Sequence, residues 1–188
     1  MALPKINTPT FELEIPSTKE KLTYRPFLVK EEKILLLAME QDKEEEMMQA
    51  VKQIIDNCTF EKLDLDDLAL FDIEFVFLRI RSKSVGEIVN LKLLCEDDGE
   101  TYADVEINLD DVTVDYPEGH SNKIELDDNV GMLMQYPQFE TALGMNSDSD
   151  TENIFILIKR SIKQIYDGDT FHERTDFTGK ELDEFLES

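Results

Sequence analysis

Apolar and polar residues alternate near the start of the chain, where Phe11, Leu13 and Ile15 are separated by glutamates. A second short apolar stretch follows the turn-forming residues 16–18 and stops near Pro26, whose nitrogen carries no hydrogen for strand pairing. A period of two on both sides of a turn is typical of a β-hairpin. The pattern therefore predicts a strand pair within residues 10–28.

Three segments with apolar residues at every third or fourth position come next. They predict helices over residues 30–40, 44–57 and 64–84, the last of them capped by Asp64 or Asp66. Their apolar stripes contain Ile34, Leu35, Leu37 and Ala38, then Met47, Met48, Val51, Ile54 and Ile55, then Leu68, Phe71, Phe75 and Leu78. We expect the third helix to be mostly buried because its stripe is the widest.

Beyond Gly86 the apolar period changes to two, which predicts antiparallel strands. The strands cover Ile88 to Leu93, Tyr102 to Leu109, Val112 to Val114 and Lys123 to Leu126. The first two are joined by Asp97-Asp98-Gly99-Glu100, a turn containing the glycine that a positive φ favours.

The last third of the chain carries mixed signals. Met132, Leu133 and Tyr136 predict a turn of helix ended by Pro137, and residues 146–151 predict a polar loop or helix entry. A clear amphipathic pattern predicts a helix from Glu152 to Tyr166, and a short acidic helix is expected from Lys180 to Leu186.

These elements predict an α+β fold, in which an N-terminal strand pair and helices pack with an antiparallel sheet, followed by a C-terminal helix. We divide the chain into residues 1–86, which hold the strand pair and three helices, and residues 87–188, which hold the strands and C-terminal helices. The two parts are expected to form one compact unit or two tightly packed subdomains.

Charge narrows the range of partners. The chain has 43 acidic and 19 basic residues, which gives a net charge of -24 over 188 residues. Because nucleic-acid binding draws its affinity from Lys and Arg that neutralise phosphates, a nucleic-acid partner is disfavoured, and anionic membranes are disfavoured for the same reason. No apolar run approaches the roughly 20 residues of a spanning helix. Two cysteines, 58 and 95, suggest a reducing cytoplasm.

Candidate chemistry is sparse. The two histidines, His120 and His172, have no cysteine near them in sequence, and no glycine-rich phosphate loop occurs. The run from Asp148 resembles a calcium loop, but its sixth position is Asn153 and its twelfth is Lys159, where glycine and glutamate are required. We therefore predict no catalytic residue, no metal and no cofactor.

One segment favours contact with another protein. Tyr24, Arg25 and Phe27 end the predicted strand pair, and Lys30 begins the first helix. Aromatic residues and arginine dominate the energetics of interfaces, so these four residues are candidates for an interaction site. The alternative is a strand-to-helix corner with Phe27 in the core, and both can hold at once.

The same residues carry a family resemblance. The runs Leu3 to Leu13, Leu22 to Lys33, Asn57 to Phe60 and Lys83 to Glu87 resemble the baseplate hub protein family of T-even-type contractile-tailed bacteriophages. The resemblance covers residues 3–95 well and the remainder loosely. It implies a small protein that helps to build the central hub of the tail baseplate, either as hub subunit or as assembly factor, by binding and without an active site.

We therefore expect a non-enzymatic, chaperone-like assembly factor that binds other baseplate hub proteins in the host cytoplasm. A permanent structural subunit of the hub, retained in the virion tail baseplate, remains the main alternative. A metal-dependent enzyme using the acidic clusters is a further, disfavoured one. The negative exterior provides a physical route to binding, since it can speed association with basic partner surfaces.

Overall fold

The computed structural model describes residues 7–139 and 149–187. The chain divides into two units, with the boundary between Val114 and Asp115. The boundary that we predicted after residue 86 falls earlier, at the connection between a helix and a strand inside the first unit. Each unit is described separately.

The first unit opens with the predicted hairpin, β1 (Phe11–Glu14) paired antiparallel with β2 (Lys21–Tyr24). β2 ends at Tyr24, two residues before Pro26, as expected because proline has no backbone N–H for strand pairing. The turn of the hairpin is fixed to a helix, because the backbone N–H of Ser17 donates to the buried carboxylate of Asp72 at 3.0 Å.

Three helices follow the hairpin: α1 (Val29–Gln41), α2 (Glu44–Cys58) and α3 (Leu70–Val85). α1 contacts α2, and α2 contacts α3. Their buried side chains form most of the core of this unit, together with Ile15 from the hairpin. The deeply buried aliphatic residues include Ile54, Ile55, Ile73, Val76 and Ile80. The sequence therefore predicted the presence of these three helices correctly. The third is only partly buried, since Phe71, Phe75 and Leu78 of its predicted stripe are half-buried.

The start of the third helix was predicted wrongly. α3 begins at Leu70 and not at Asp64, and Ala69 before it has an extended backbone. The backbone N–H of Asp66 instead donates to the side chain of Asp64 at 3.2 Å, which closes a local turn. Short acidic side chains stabilise such turns as readily as helix caps, so the acidic run did not distinguish the two.

The first unit ends with a two-stranded ribbon, β3 (Ile88–Leu94) paired antiparallel with β4 (Tyr102–Asn108). Its tip contains Gly99 at φ 66°, as the turn sequence predicted. A short 3₁₀ turn, Leu109–Asp111, follows β4. The strand predicted over residues 112–114 does not form, and the backbone oxygen of Val112 instead accepts a hydrogen bond from Arg79.

The second unit contains a four-stranded antiparallel sheet of order β5-β6-β7-β8. Its elements are β5 (Lys123–Glu125), β6 (Val130–Met134), α4 (Asp150–Ser161), β7 (Ile162–Asp167), β8 (Thr170–Glu173), a 3₁₀ turn (Arg174–Asp176) and α5 (Gly179–Leu186). The short strand β5 and the C-terminal helix α5 agree with the sequence. The α+β class is confirmed for the chain.

The core of the second unit lies between the sheet and α5. It is formed by Met132, Ile162, Ile165 and Leu182, with Met134, Phe177, Phe185 and Leu186 packed against them. A capping box starts α5, since the side chain of Glu181 accepts from the backbone N–H of Thr178 at 2.7 Å. The C-terminal helix is thus a structural part of this core and not only a charged end.

Two predictions in the second unit were wrong. Residues 132–136 do not form a turn of helix, because Met132 lies in the strand β6 between β5 and β7. The helix predicted over residues 152–166 ends at Ser161, and its last part is the strand β7. Of the predicted loop over residues 146–151, positions 146–148 lie outside the described residues, and α4 begins at Asp150.

Candidate protein-interaction surfaces

The four predicted interaction residues lie together at the corner between β2 and α1. Tyr24 and Arg25 are buried, with 2% and 9% of their surface exposed. Phe27 is half-buried, whereas the side chain of Lys30 is 64% exposed. The surface of the corner is therefore formed by Phe27, Lys30 and the exposed apolar residues Leu28 and Val29.

A buried ion pair holds this corner. The guanidinium group of Arg25 lies 2.9 Å from the carboxylate of Glu31, which has no exposed surface. The same guanidinium donates to the backbone oxygens of Pro26 at 2.9 Å and Asn57 at 3.2 Å. Glu31 in turn accepts from the backbone N–H of Leu28 at 2.8 Å and so caps the start of α1. Arg25 thus ties β2 to two helices.

The electrostatics of the corner keep both partners charged. Burial by itself would raise the pKa of Glu31, but hydrogen bonds from Arg25 and from the Leu28 backbone outweigh it and lower that pKa. Burial also raises the pKa of the neighbouring Cys58 thiol to about 11, so this thiol is protonated at neutral pH. Whether the four predicted residues contact a partner stays a prediction, but Tyr24 and Arg25 can act in it only from beneath the surface.

A groove of about 720 Å³ runs between α1, α2 and the segment before α3. Leu37, Ala38 and Gln53 line it together with charged residues, of which Lys52 and Asp66 form an ion pair. Leu37 was predicted to lie on the apolar stripe of α1, but it is about half exposed here. In residues 7–139 and 149–187, no three side chains among His, Cys, Asp and Glu are grouped as a metal site requires.

An exposed apolar surface that the sequence did not identify as functional lies on the β3–β4 ribbon. One face presents the cross-strand pairs Val89 with Ile107, Leu91 with Val105 and Leu93 with Ala103. Exposure rises toward the tip, reaching 39% for Leu91 and 50% for Leu93. The opposite face is polar in its middle, and the apolar residues Ile88 at the base and Leu94 and Tyr102 near the tip are also exposed. An isolated two-stranded ribbon is marginally stable in water, so this apolar face needs support.

Support comes from the base of the ribbon, where Asp110 is held against α3. Its carboxylate accepts from Ser82 at 2.8 Å and from Lys83 at 2.7 Å, and Arg79 lies 3.4 Å away. Arg79 also donates to the backbone oxygen of Leu109 at 2.9 Å. The hydrogen bonds from Lys83 and Ser82 lower the pKa of Asp110. The ribbon therefore projects from a fixed base.

The ribbon is more acidic than the chain as a whole. Residues 87–108 contain seven acidic side chains and one basic one, Lys92. Four of the acidic residues surround the tip, at positions 96, 97, 98 and 100, and two lie on β4, at positions 104 and 106. An exposed apolar face within a negative rim is typical of a site that binds another protein.

The chain has an α+β fold, and the exposed apolar face of its ribbon is a candidate protein-binding surface. A family model described as T4 bacteriophage base plate protein matches residues 8–188. The chain belongs to this family, which confirms the resemblance to phage baseplate proteins that residues 3–95 indicated. Its role is therefore structural or in assembly of the tail baseplate, and families of this kind are generally not enzymes. No curated protein and no solved structure gives a significant match.

In the part of the chain that the structure describes, no helix is both long and apolar enough to cross a membrane.

Sequence reasoning missed the ribbon as a candidate site for a physical reason. Its alternating pattern predicted the two strands correctly, but such a pattern does not say whether another element covers their apolar face. The signal lay in the topology, since β3 and β4 pair only with each other in the described residues. A two-stranded ribbon needs a layer packed against its apolar face, and the exposure of Leu91 and Leu93 shows that the described residues leave this part of the face uncovered.

Proposed function

We propose that this protein is a non-enzymatic assembly factor of the baseplate hub that binds other hub proteins while the tail is being built. The hub is the part of the baseplate that the sequence resemblance indicated. In this proposal the protein acts in the host cytoplasm, where it covers partner surfaces that would otherwise associate too early.

The observation that carries the proposal is the exposed apolar face of the ribbon on a chain of net charge -24. A protein with such a face tends to associate with copies of itself, but strong like-charge repulsion opposes this. A basic partner experiences attraction instead of repulsion. The combination favours a protein that stays apart from its own copies and binds a different protein.

The corner between β2 and α1 is a second contact in this proposal. Phe27 and Lys30 contact the partner, because they are the members of the predicted set with accessible side chains. Tyr24 and Arg25 act from beneath, by holding the backbone that presents them. Substituting Arg25 should therefore weaken binding only through loss of local structure.

A permanent structural subunit of the hub is the second candidate. It is favoured by the extent of exposed apolar surface near the ribbon tip, including Tyr102 at 63%. Such surface is most stable when it is covered for the life of the particle. The two candidates differ in how long the protein stays bound to its partner and not in the surface that it uses.

Affinity capture from infected cells, compared with the protein inventory of purified tails, tests the proposal. An assembly factor is captured with hub proteins during infection and is absent from finished tails. Stoichiometric presence in purified tails would instead establish the permanent subunit. A variant in which Leu91 and Leu93 are both changed to Asp should no longer capture hub proteins. Asp128→Asn in the second unit is the control and should still capture them. Capture without any baseplate protein would contradict both candidates.

A further inference from the structure

The two edges of the ribbon expose different backbone groups. The N–H of Leu109 donates to the oxygen of Glu87, and the N–H of Cys95 donates to the oxygen of Thr101, both at 2.8 Å. In an antiparallel pair, residues alternate between bonding across the ribbon and pointing their backbone groups away from it. Odd-numbered residues of β3 and β4 therefore bond across, and even-numbered residues face outward.

Both outer edges are open in the described residues, because β3 and β4 form a sheet of two strands. The open edge of β4 presents the N–H and C=O groups of Tyr102, Asp104 and Glu106. The open edge of β3 presents those of Asn90, Lys92 and Leu94. Such edges are templates for an additional strand from another chain.

Charge distinguishes the two edges. The side chains of Asp104 and Glu106 are exposed and lie on the polar face of β4. The edge of β3 carries no acidic side chain between positions 88 and 94, and Lys92 is its one charged residue. A strand beside β4 would place alternate residues next to Asp104 and Glu106, where basic side chains are favoured. Its intervening residues would extend the apolar face of Ala103 and Val105.

We propose that a partner strand in which apolar and basic residues alternate pairs with the outer edge of β4 and converts the ribbon into a three-stranded sheet. This inference rests on the proposed function, and it names the surface and the kind of segment that the partner supplies. A second copy of this chain is not the occupant, because pairing β4 with β4 would bring carboxylates against carboxylates and a net charge of -24 opposes approach of a second copy through any other edge. The added strand widens the apolar face of the sheet, and the rest of the partner can then pack against that face.

A blocked synthetic peptide of ten residues, alternating Val and Lys, is the probe. Its binding to the full chain is measured by fluorescence anisotropy at physiological ionic strength. Two control peptides separate pairing from simple charge attraction: one alternates Val and Glu, and the other has five Val followed by five Lys. The alternating Val and Lys peptide should bind at least about tenfold more tightly than either control. Equal binding of the block peptide would overturn the inference.

Proline substitutions identify the edge. Asp104→Pro removes an outward N–H from β4 without breaking a bond across the ribbon, and Lys92→Pro does the same at the directly opposite position of β3. We expect Asp104→Pro to weaken binding of the alternating peptide about tenfold and Lys92→Pro to change it less than twofold. Equal effects, or a larger effect of Lys92→Pro, would overturn the assignment to β4.

A second variant keeps the test decisive if a proline prevents folding. Changing Asp104 and Glu106 together to Lys should reverse the preference, so that the Val and Glu peptide binds more tightly. An unchanged preference would overturn the inference. The proposed function fails separately: if Asp104→Pro loses the peptide but captures hub proteins normally, the hub protein does not pair with β4, and only the further inference is wrong. If the wild-type chain binds the peptide but captures no hub protein, the proposed function is wrong.

Discussion

The carboxylate of Glu31 lies 2.9 Å from the guanidinium group of Arg25 and has no exposed surface, so one buried ion pair joins the end of β2 to the start of α1. Such a pair stabilises a fold weakly when it is complete but strongly penalises the loss of one partner, because the other charge stays buried. The corner that presents Phe27 and Lys30 therefore depends on both residues.

Glu31→Gln should lower the free energy of unfolding by about 3 kcal/mol, since it leaves the Arg25 charge without its counterion. Chemical denaturation followed by circular dichroism measures this change. Lys33→Ala is the matched control, because Lys33 lies two residues further along α1 and is exposed, and it should change the free energy by no more than about 0.5 kcal/mol. Similar values for the two variants would show that the pair does not support the corner.

The stability difference between wild type and Glu31→Gln should change with pH in a defined direction. The pKa of Glu31 is lower in the folded state than in the unfolded chain. Its contribution is therefore complete above the unfolded value of about 4.3 and is lost as the pH falls toward the folded value. The stability difference between wild type and Glu31→Gln should be constant near neutral pH and shrink below about pH 4.3. A difference that grows on acidification would contradict the lowered pKa.

Asp110 should control the order of the ribbon. Asp110→Ala removes the acceptor that Ser82 and Lys83 share, and because the site is partly exposed we expect a local cost of about 1 kcal/mol. Hydrogen exchange at Val89, Leu91 and Leu93 should accelerate about fivefold, while exchange in α2 stays unchanged.

Asp111→Ala is the matched control for that change, because Asp111 is the exposed neighbour of Asp110. It should leave exchange in the ribbon as it is in the wild type. Equal acceleration in the two variants would mean that the ribbon is not held through Asp110.

Local pattern predicted most of the first unit but not the switch from helix to strand in the second. Ile154, Ile158, Ile162 and Ile165 are spaced by three or four residues, which fits a continuing helix. The structure nevertheless pairs residues 162–167 with β6 on one side and β8 on the other. Those hydrogen bonds come from distant segments, so no window around Ile162 contains the information that decides its state.

The candidate surface was only partly predictable for a related reason. Tyr24 and Arg25 are residue types typical of an interface anchor, yet both are buried, and Arg25 bonds to the backbone oxygens of Asn57 and Cys58 at the end of α2. The ribbon shows the converse, since an apolar face that alternation predicts can be either core or interface. Only the tertiary structure shows that the side chain of Leu93 is exposed.

Gly131 should tolerate no side chain. A Cβ at this position would lie 2.5 Å from the backbone oxygen of Ile124 and would overlap the hydroxyl group of Tyr166. Because β5 would have to move, Gly131→Ala should destabilise the second unit by about 1 to 3 kcal/mol, measured by thermal denaturation and by hydrogen exchange in β6. Gly179→Ala is the control, since a Cβ there meets nothing within 4 Å and alanine favours the helix. A neutral Gly131→Ala would show that β5 is not fixed against β6.

Association with a captured hub protein should depend on salt. The negative exterior steers a basic partner, so the association rate constant should fall about tenfold between roughly 20 mM and 150 mM salt, while the dissociation rate changes less.

Stopped-flow fluorescence measures both rate constants. Two triple variants then show which acidic residues produce the electrostatic steering. Changing Glu96, Asp97 and Glu100 at the ribbon tip to their amides should reduce the salt dependence. Asp98 is left intact because it accepts from the backbone N–H groups of Glu100 and Thr101. The matched variant removes three exposed charges of the second unit, at Asp128, Asp169 and Glu187, and so has the same net charge. If the two variants lose salt dependence equally, total charge steers the partner and the ribbon tip does not; an association rate insensitive to salt would exclude steering altogether.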